Sequence, residues 1–186
     1  RRSRGLGDVY KRQSLKYFLL GSLASCIFVY GIALIYVSLS IIGVYEISFA
    51  ISIIGPENVP LTTFVGLILI IVGLLFKVAA APFQAWAPDV YQGSPTGYVG
   101  YMATVAKAAS FIVLARLVAV SLTFIIDQFD LFFSAVVIMS VLAGALFAAN
   151  QSDLKRLIAY SGVIQSGFIL SGISSGVYGI SASTFY

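Results

Sequence analysis

Five apolar segments, each long enough for a bilayer-spanning helix of about 20 residues, constrain what this chain can fold into. They run roughly from Leu15 to Val37, from Leu61 past Ala81, from Pro95 to near Ser121, from Asp130 to Ala149 and from Asp153 to Ser175. A tail, Gly176–Tyr186, reads as the beginning of a sixth. Only 10% of residues are charged, against about 25% in soluble domains. In lipid, every backbone polar group has to be satisfied within the protein, which leaves helices as the natural spanning element here. The expected fold is an all-α polytopic membrane protein whose main solvent is the lipid bilayer.

The connections agree. Pro56 and Pro60 bracket the entry to the second segment. Ser94 followed by Pro95 reads as an N-cap with proline at the first helical position. Asp127 and Asp130 mark the third turn, and Ser152 or Asp153 is the expected cap of the fifth helix. The stretch from Gly43 to Ile54 is too short to span and is expected along the interface. If spans alternate, Lys16, Lys155 and Arg156 share one side, with Asp89 and Asp153, while Glu46, Glu57, Asp127 and Asp130 lie on the other. The basic side, including the Gly93–Gly97 turn, is expected to be cytoplasmic, and Lys155 is expected there as an anchor.

Several chemistries are excluded by what the chain lacks. It has no His and one Cys, so there is no His-based zinc site or Ser-His-Asp triad, and no set of thiolates for an iron–sulfur cluster. Cys26 is expected to be a small core residue. No G-x-G-x-x-G or P-loop pattern is present, so no NADH or nucleotide site is expected. Five of the eleven Lys and Arg residues lie in the first thirteen positions with one of the seven acids. The remainder is neutral, with no basic patch for nucleic acid. The run Asp8-Val-Tyr-Lys-Arg-Gln13 reads as a translation of GATGTGTATAAGAGACAG, the end of a transposase-based sequencing adapter. Residues 1–13 are therefore set apart, as a non-native stretch, from the transmembrane segment 14–186. The alternative, a signal-peptide n-region, suffers from an apolar segment too long for an h-region and no small-residue cleavage site.

Two lysines fall inside spans. Lys107 lies about 18 Å along a helix from Pro95 at 1.5 Å per residue, roughly half the depth of a ~30 Å hydrocarbon core. Snorkelling is hard from there, and a mid-bilayer Lys costs about 2.5–3.5 kcal/mol on insertion scales, so function is favoured. Lys77 lies in a segment that, unbroken from Leu61 to Tyr91, would be about 46 Å long. Pro82 and Pro88 follow it, and the span is expected to break near Ala79–Pro82. Broken helices line cavities. Desolvation disfavours the charged form of a lysine, so a lysine beside such a break can load and release a proton. Ser110, Thr104 and waters are candidate relays between the two. No carboxylate lies inside any span. Arg116 reads as a snorkelling anchor. Trp86 and the tyrosines at 91, 98 and 101 read as an aromatic belt, and Gly172-x-x-x-Gly176 as a helix-packing face.

The stretch Phe76-Lys-Val-Ala-Ala-Ala-Pro-Phe-Gln-Ala-Trp-Ala-Pro-Asp-Val-Tyr-Gln-Gly-Ser-Pro-Thr96 resembles the signature of the subunit N family of proton-pumping NADH:quinone oxidoreductase, respiratory complex I. Ala106-Lys-Ala-Ala-Ser-Phe111 and Gln151-Ser-Asp-Leu-Lys-Arg-Leu-Ile-Ala-Tyr-Ser161 are similar to further blocks of that family, in order. The sister antiporter-like subunits L and M and the multi-subunit sodium/proton antiporters share the Lys-Pro-Phe core but fit less well, and a subunit of such an antiporter or of a membrane-bound hydrogenase is the alternative reading. Gln84 departs from the family's usual His. The resemblance implies an antiporter-like inverted repeat, with the end of one five-helix unit and the start of the next. It implies Lys77 as the proton carrier of the first half-channel and Lys107 as the link to the second. It also implies a bacterial inner membrane and other complex I membrane subunits as partners. No cofactor is implied in this chain: NADH, FMN, iron–sulfur clusters and quinone are handled by other subunits. A membrane scaffold without transport is the competing reading from another class.

Overall fold

The computed structural model describes residues 2–185, with side chains described over 14–176 and 178–185; the side chains of the 1–13 stretch lie outside the described residues. The described residues form helices α1 (Arg2–Leu39), α2 (Val44–Ile54), α3 (Leu61–Val78), α4 (Trp86–Gly93), α5 (Thr96–Tyr101), α6 (Lys107–Arg116), α7 (Asp130–Ala149), α8 (Leu154–Ser174) and α9 (Gly176–Ser183). Five helical stretches among them are long and apolar enough to cross a membrane: Ser14–Leu39, Leu61–Gly93, Thr96–Ser121, Ile126–Ala149 and Leu154–Ser174. Each expected span is present. The Gly43–Ile54 stretch forms the short apolar helix α2, which buries Ile47 and Ile51.

The α3 helix is the centre of the bundle. Leu67, Ile71, Leu75 and Val78 are fully buried on it. This follows the rule that an all-round apolar helix is an inner one. It packs against α1 at Gly66, where an added Cβ would stand 2.9 Å from the Gly31 carbonyl oxygen. Only paired glycines permit that approach of two backbones. Leu114, Leu117 and Val118 of the third span and Phe129, Phe133 and Val136 of the fourth close the same core.

The third span is not a plain α-helix. It opens into π turns at Met102–Ala106, immediately before Lys107, and again at Leu117–Ser121. Such widened turns are frequent at functional sites. Helix α8 starts as expected, with the Asp153 carboxylate accepting from the Lys155 N–H at 2.8 Å. Helix α5 differs by one residue. Pro95, with ψ 144°, stands at the cap position and the helix begins at Thr96, because the extended ψ of Pro95 delays helical geometry. Ser94 instead offers its carbonyl to the Lys155 ammonium at 2.9 Å.

Candidate functional site

The site is built around the end of α3. A proline ring clashes with the carbonyl four residues earlier and lacks an N–H, and four residues before Pro82 is Val78, where α3 stops. Ala79 takes left-handed angles, φ 58° and ψ 38°, and a short 3-10 turn over Phe83–Ala85 leads into α4. The expected break is therefore at Ala79–Pro82. Pro88 does not contribute to it. That residue lies buried in the first turn of α4, where a missing N–H is tolerated.

Buried backbone groups at such a break need partners, and other helices supply them. The Trp86 indole N–H donates to the Phe76 carbonyl at 3.0 Å. The Ala81 N–H donates to the Ser140 hydroxyl of α7 at 2.9 Å. The Ser166 hydroxyl of α8 lies 3.0 Å from the Val78 carbonyl oxygen. Trp86 also stacks on Phe76 at 5.6 Å and is buried, as is Tyr91. These two aromatics are thus internal, correcting the expectation of a belt, whereas Tyr98 and Tyr101 are 69% and 59% exposed. The correction has a local cause: α4 packs on α8 and α1, which turns its aromatic face inward. Neither Ser140 nor Ser166 stood out in the sequence. The available signal was a hydroxyl in the middle of an otherwise apolar span.

Lys77 sits in the last turn of α3, two residues before the break begins at Ala79, and its side chain is exposed, contrary to the expectation of burial. It opens onto a cavity of about 810 Å³ between α1 and the third span. The cause is the small residues on the facing walls, among them Gly21, Ser25, Ala106 and Ala109. Phe28 lies over the ammonium at 6.0 Å. Cys26, expected in the core, is exposed on the wall of this cavity. Lys107 is buried, 7% exposed, and donates to the Gly162 carbonyl of α8 at 2.9 Å. It lines a separate cavity of about 310 Å³ with Tyr91, Thr104, Ser161, Gln165 and Ser166. The two lysines thus face opposite sides of the third span. Ser110 lies on the Lys77 side and Thr104 on the Lys107 side. The buried Tyr91 hydroxyl and Gln84 Oε1 have no hydrogen-bonding partner among the described residues.

The charged groups of one end of the bundle come together as expected. Asp89 pairs with Lys16 of α1 at 3.0 Å and with Arg156 of α8 at 3.2 Å. Gln92 donates to Asp153 at 3.0 Å, and Arg156 also reaches Gln92 and Gln151. Lys155 thus belongs to an end cluster rather than to either lysine cavity. Arg116 lies over the Tyr45 ring at 5.6 Å. Gly172 packs against Gly179 and Ser183 of α9.

A polytopic bundle in which one span is broken beside a lysine, and the next span buries a second lysine, defines an antiporter-like transmembrane protein. The family model described as NADH:quinone oxidoreductase/Mrp antiporter, TM, matches residues 8–186, and the chain belongs to that family. It is 42% identical over 174 residues to the NADH-quinone oxidoreductase subunit N of Mycobacterium tuberculosis H37Rv, covering 93% of this chain and 32% of that protein. It is 39% identical over 176 residues to the chloroplastic NAD(P)H-quinone oxidoreductase subunit 2 of Mesostigma viride, covering 93% and 35%. Among solved structures, a chain of respiratory complex I from Thermus thermophilus matches with TM-score 0.70 and 39% identity over 87% of this chain and 34% of that one. A chain of an archaeal membrane-bound sulfane sulfur reductase matches with TM-score 0.81 and 30% identity, covering 94% and 36%. A chain of the Mrp complex from Dietzia matches in fold, with TM-score 0.83 and 23% identity, covering 97% and 32%. The chain spans about a third of the length of the curated relatives it matches.

Proposed function

We propose that this chain is part of a proton-translocating subunit N module of an NADH:quinone oxidoreductase, driven by quinone reduction carried out in other subunits. The observation that carries this reading is the placement of Lys77 at a helix break, on the wall of a cavity large enough for many waters, with Lys107 behind it on the far face of the next span. A cavity with polar backbone gives a proton a route to Lys77, and Lys107 offers a second carrier. The 42% identity to a subunit N relative supports the assignment over the antiporter alternative. NADH, FMN, iron–sulfur clusters and quinone are assigned to partner subunits. The membrane is the bacterial inner membrane, with the Lys16–Asp89–Arg156 end cytoplasmic by its basic residues. Residues 1–13 are assigned as adapter-derived.

The test uses the full-length subunit assembled in its complex, in membrane vesicles at matched complex levels. Lys77→Ala is expected to lower proton uptake roughly tenfold or more, set against the ~10²–10⁴-fold that a positioned acid–base group contributes. Lys77→Arg keeps the charge but stays protonated and is expected to be no better. Lys107→Ala should be impaired less, and Arg116→Ala least. Wild-type pumping by Lys77→Arg would overturn the carrier role, and full pumping by both alanine variants would leave a scaffold.

A further inference from the structure

We propose that the Ser166 hydroxyl is a two-position switch that couples the proton on Lys107 to the break in α3 beside Lys77. This rests on the proton-transport reading above and adds a positioning residue to it.

Three contacts form one chain. The Lys107 ammonium donates to the Gly162 carbonyl at 2.9 Å. The Ser166 hydroxyl lies 2.7 Å from that same carbonyl oxygen and 3.0 Å from the carbonyl oxygen of Val78. A hydroxyl carries one proton, so Ser166 donates to one of the two carbonyls at a time. Ser166 is 1% exposed, and these two carbonyls are the acceptors its hydroxyl reaches. Which carbonyl receives the proton is set by Lys107. An ammonium bonded to Gly162 draws electron density from that oxygen and favours the lone pairs of Ser166 on its own side. The hydroxyl proton then points to Val78 and ties the end of α3 to α8. With Lys107 neutral, its hydrogen bond loses the charge assistance, the nearer Gly162 oxygen becomes the better acceptor, and Val78 is released. Val78 is the last residue of α3 and the immediate neighbour of Lys77.

The backbone makes this arrangement accessible. An added Cβ on Gly162 would stand 2.8 Å from the Lys107 Nζ, so the absence of a side chain there lets the ammonium reach the carbonyl. Among the described residues lining the Lys107 cavity, Tyr91 of α4 is the other titratable group, and none is acidic. Lys107 thus reaches Ser166 through the Gly162 carbonyl that both of them contact.

The experiment is hydrogen exchange followed by mass spectrometry on the full-length subunit in its assembled complex, reading peptides across residues 79–83. Lys107→Met and Ser166→Ala should each speed exchange there by roughly fivefold, the worth of one hydrogen bond. The double variant should be no faster than either single one. Ser166→Thr restores the hydroxyl and should restore wild-type exchange. Additive effects in the double variant, an unchanged Lys107→Met, or failure of the Thr rescue would each overturn the switch. Exchange does not require transport. Coupled exchange in a complex whose pumping ignores Lys77 and Lys107 would keep the switch and remove the transport reading. Lysine-dependent pumping without coupled exchange would do the reverse.

Discussion

The Trp86 indole N–H reaches across ten residues to the carbonyl of Phe76, closing the break in α3 from the α4 side. That oxygen also accepts from the Ala79 N–H at 3.1 Å, so loss of the indole does not leave it bare. Trp86→Phe, which keeps an aromatic ring, should therefore destabilise the assembled subunit by only about 0.5–1.5 kcal/mol. Thermal unfolding in detergent measures this.

Ser140→Ala is a harsher change. The Ala81 N–H, buried with its residue at 2% exposure, has Ser140 as its hydrogen-bond acceptor. An orphaned buried donor costs about 1–3 kcal/mol, so this variant should unfold earlier than Trp86→Phe. The opposite order would show that water replaces Ser140.

Gly162→Ala separates stability from function. The new methyl meets the mobile end of Lys107 rather than backbone, so the ammonium is displaced and the fold kept. Helix propensity alone should raise stability by up to about 1 kcal/mol. Proton uptake in vesicles should nevertheless fall to the level of Lys107→Ala.

Cys26 reports on the cavity in front of Lys77. It is exposed and lies on the same wall. In a full-length variant whose other cysteines are removed, a small water-soluble maleimide should label it, and labelling should block pumping. No labelling in the assembled complex would show that this cavity is dry or covered.

Asp89 is shared by Lys16 and Arg156. Lys16 is 60% exposed on its side chain, so its pair contributes little. The Arg156 pair, with both side chains under 30% exposed, carries most of the effect. Asp89→Asn should cost about 0–1 kcal/mol, and the loss should shrink at high salt. Melting curves at two ionic strengths test it.

Much of the fold was legible because its determinants are local. The Asp130–Ala149 helix occupies the residues its apolar run marked, and the break follows from one proline acting on the carbonyl four residues back. The seals of that break were not legible. Ser140 and Ser166 meet it 59 and 88 residues away in sequence, and no local pattern encodes such a pairing. The π turns before Lys107 have no proline to announce them. Lys77 was placed correctly along its helix but not in depth of burial, because exposure depends on small residues of α1 and the third span that face it. Trp86 was misread for a related reason. Its N–H had a partner within its own segment, so it had no need of an interface.

The distant seals also fix an order of events during synthesis. The chain emerges from its N-terminus, so Ala81 and Val78 are made long before Ser140 and Ser166. At about 5–20 residues per second, the gap is roughly 3 to 18 s. Through that interval the inserted second span has a backbone donor and acceptor that its own residues do not satisfy. The joint beside Lys77 is thus finished only when the fifth span docks, and the newborn segment needs water, lipid headgroups or an insertion factor to shelter it until then.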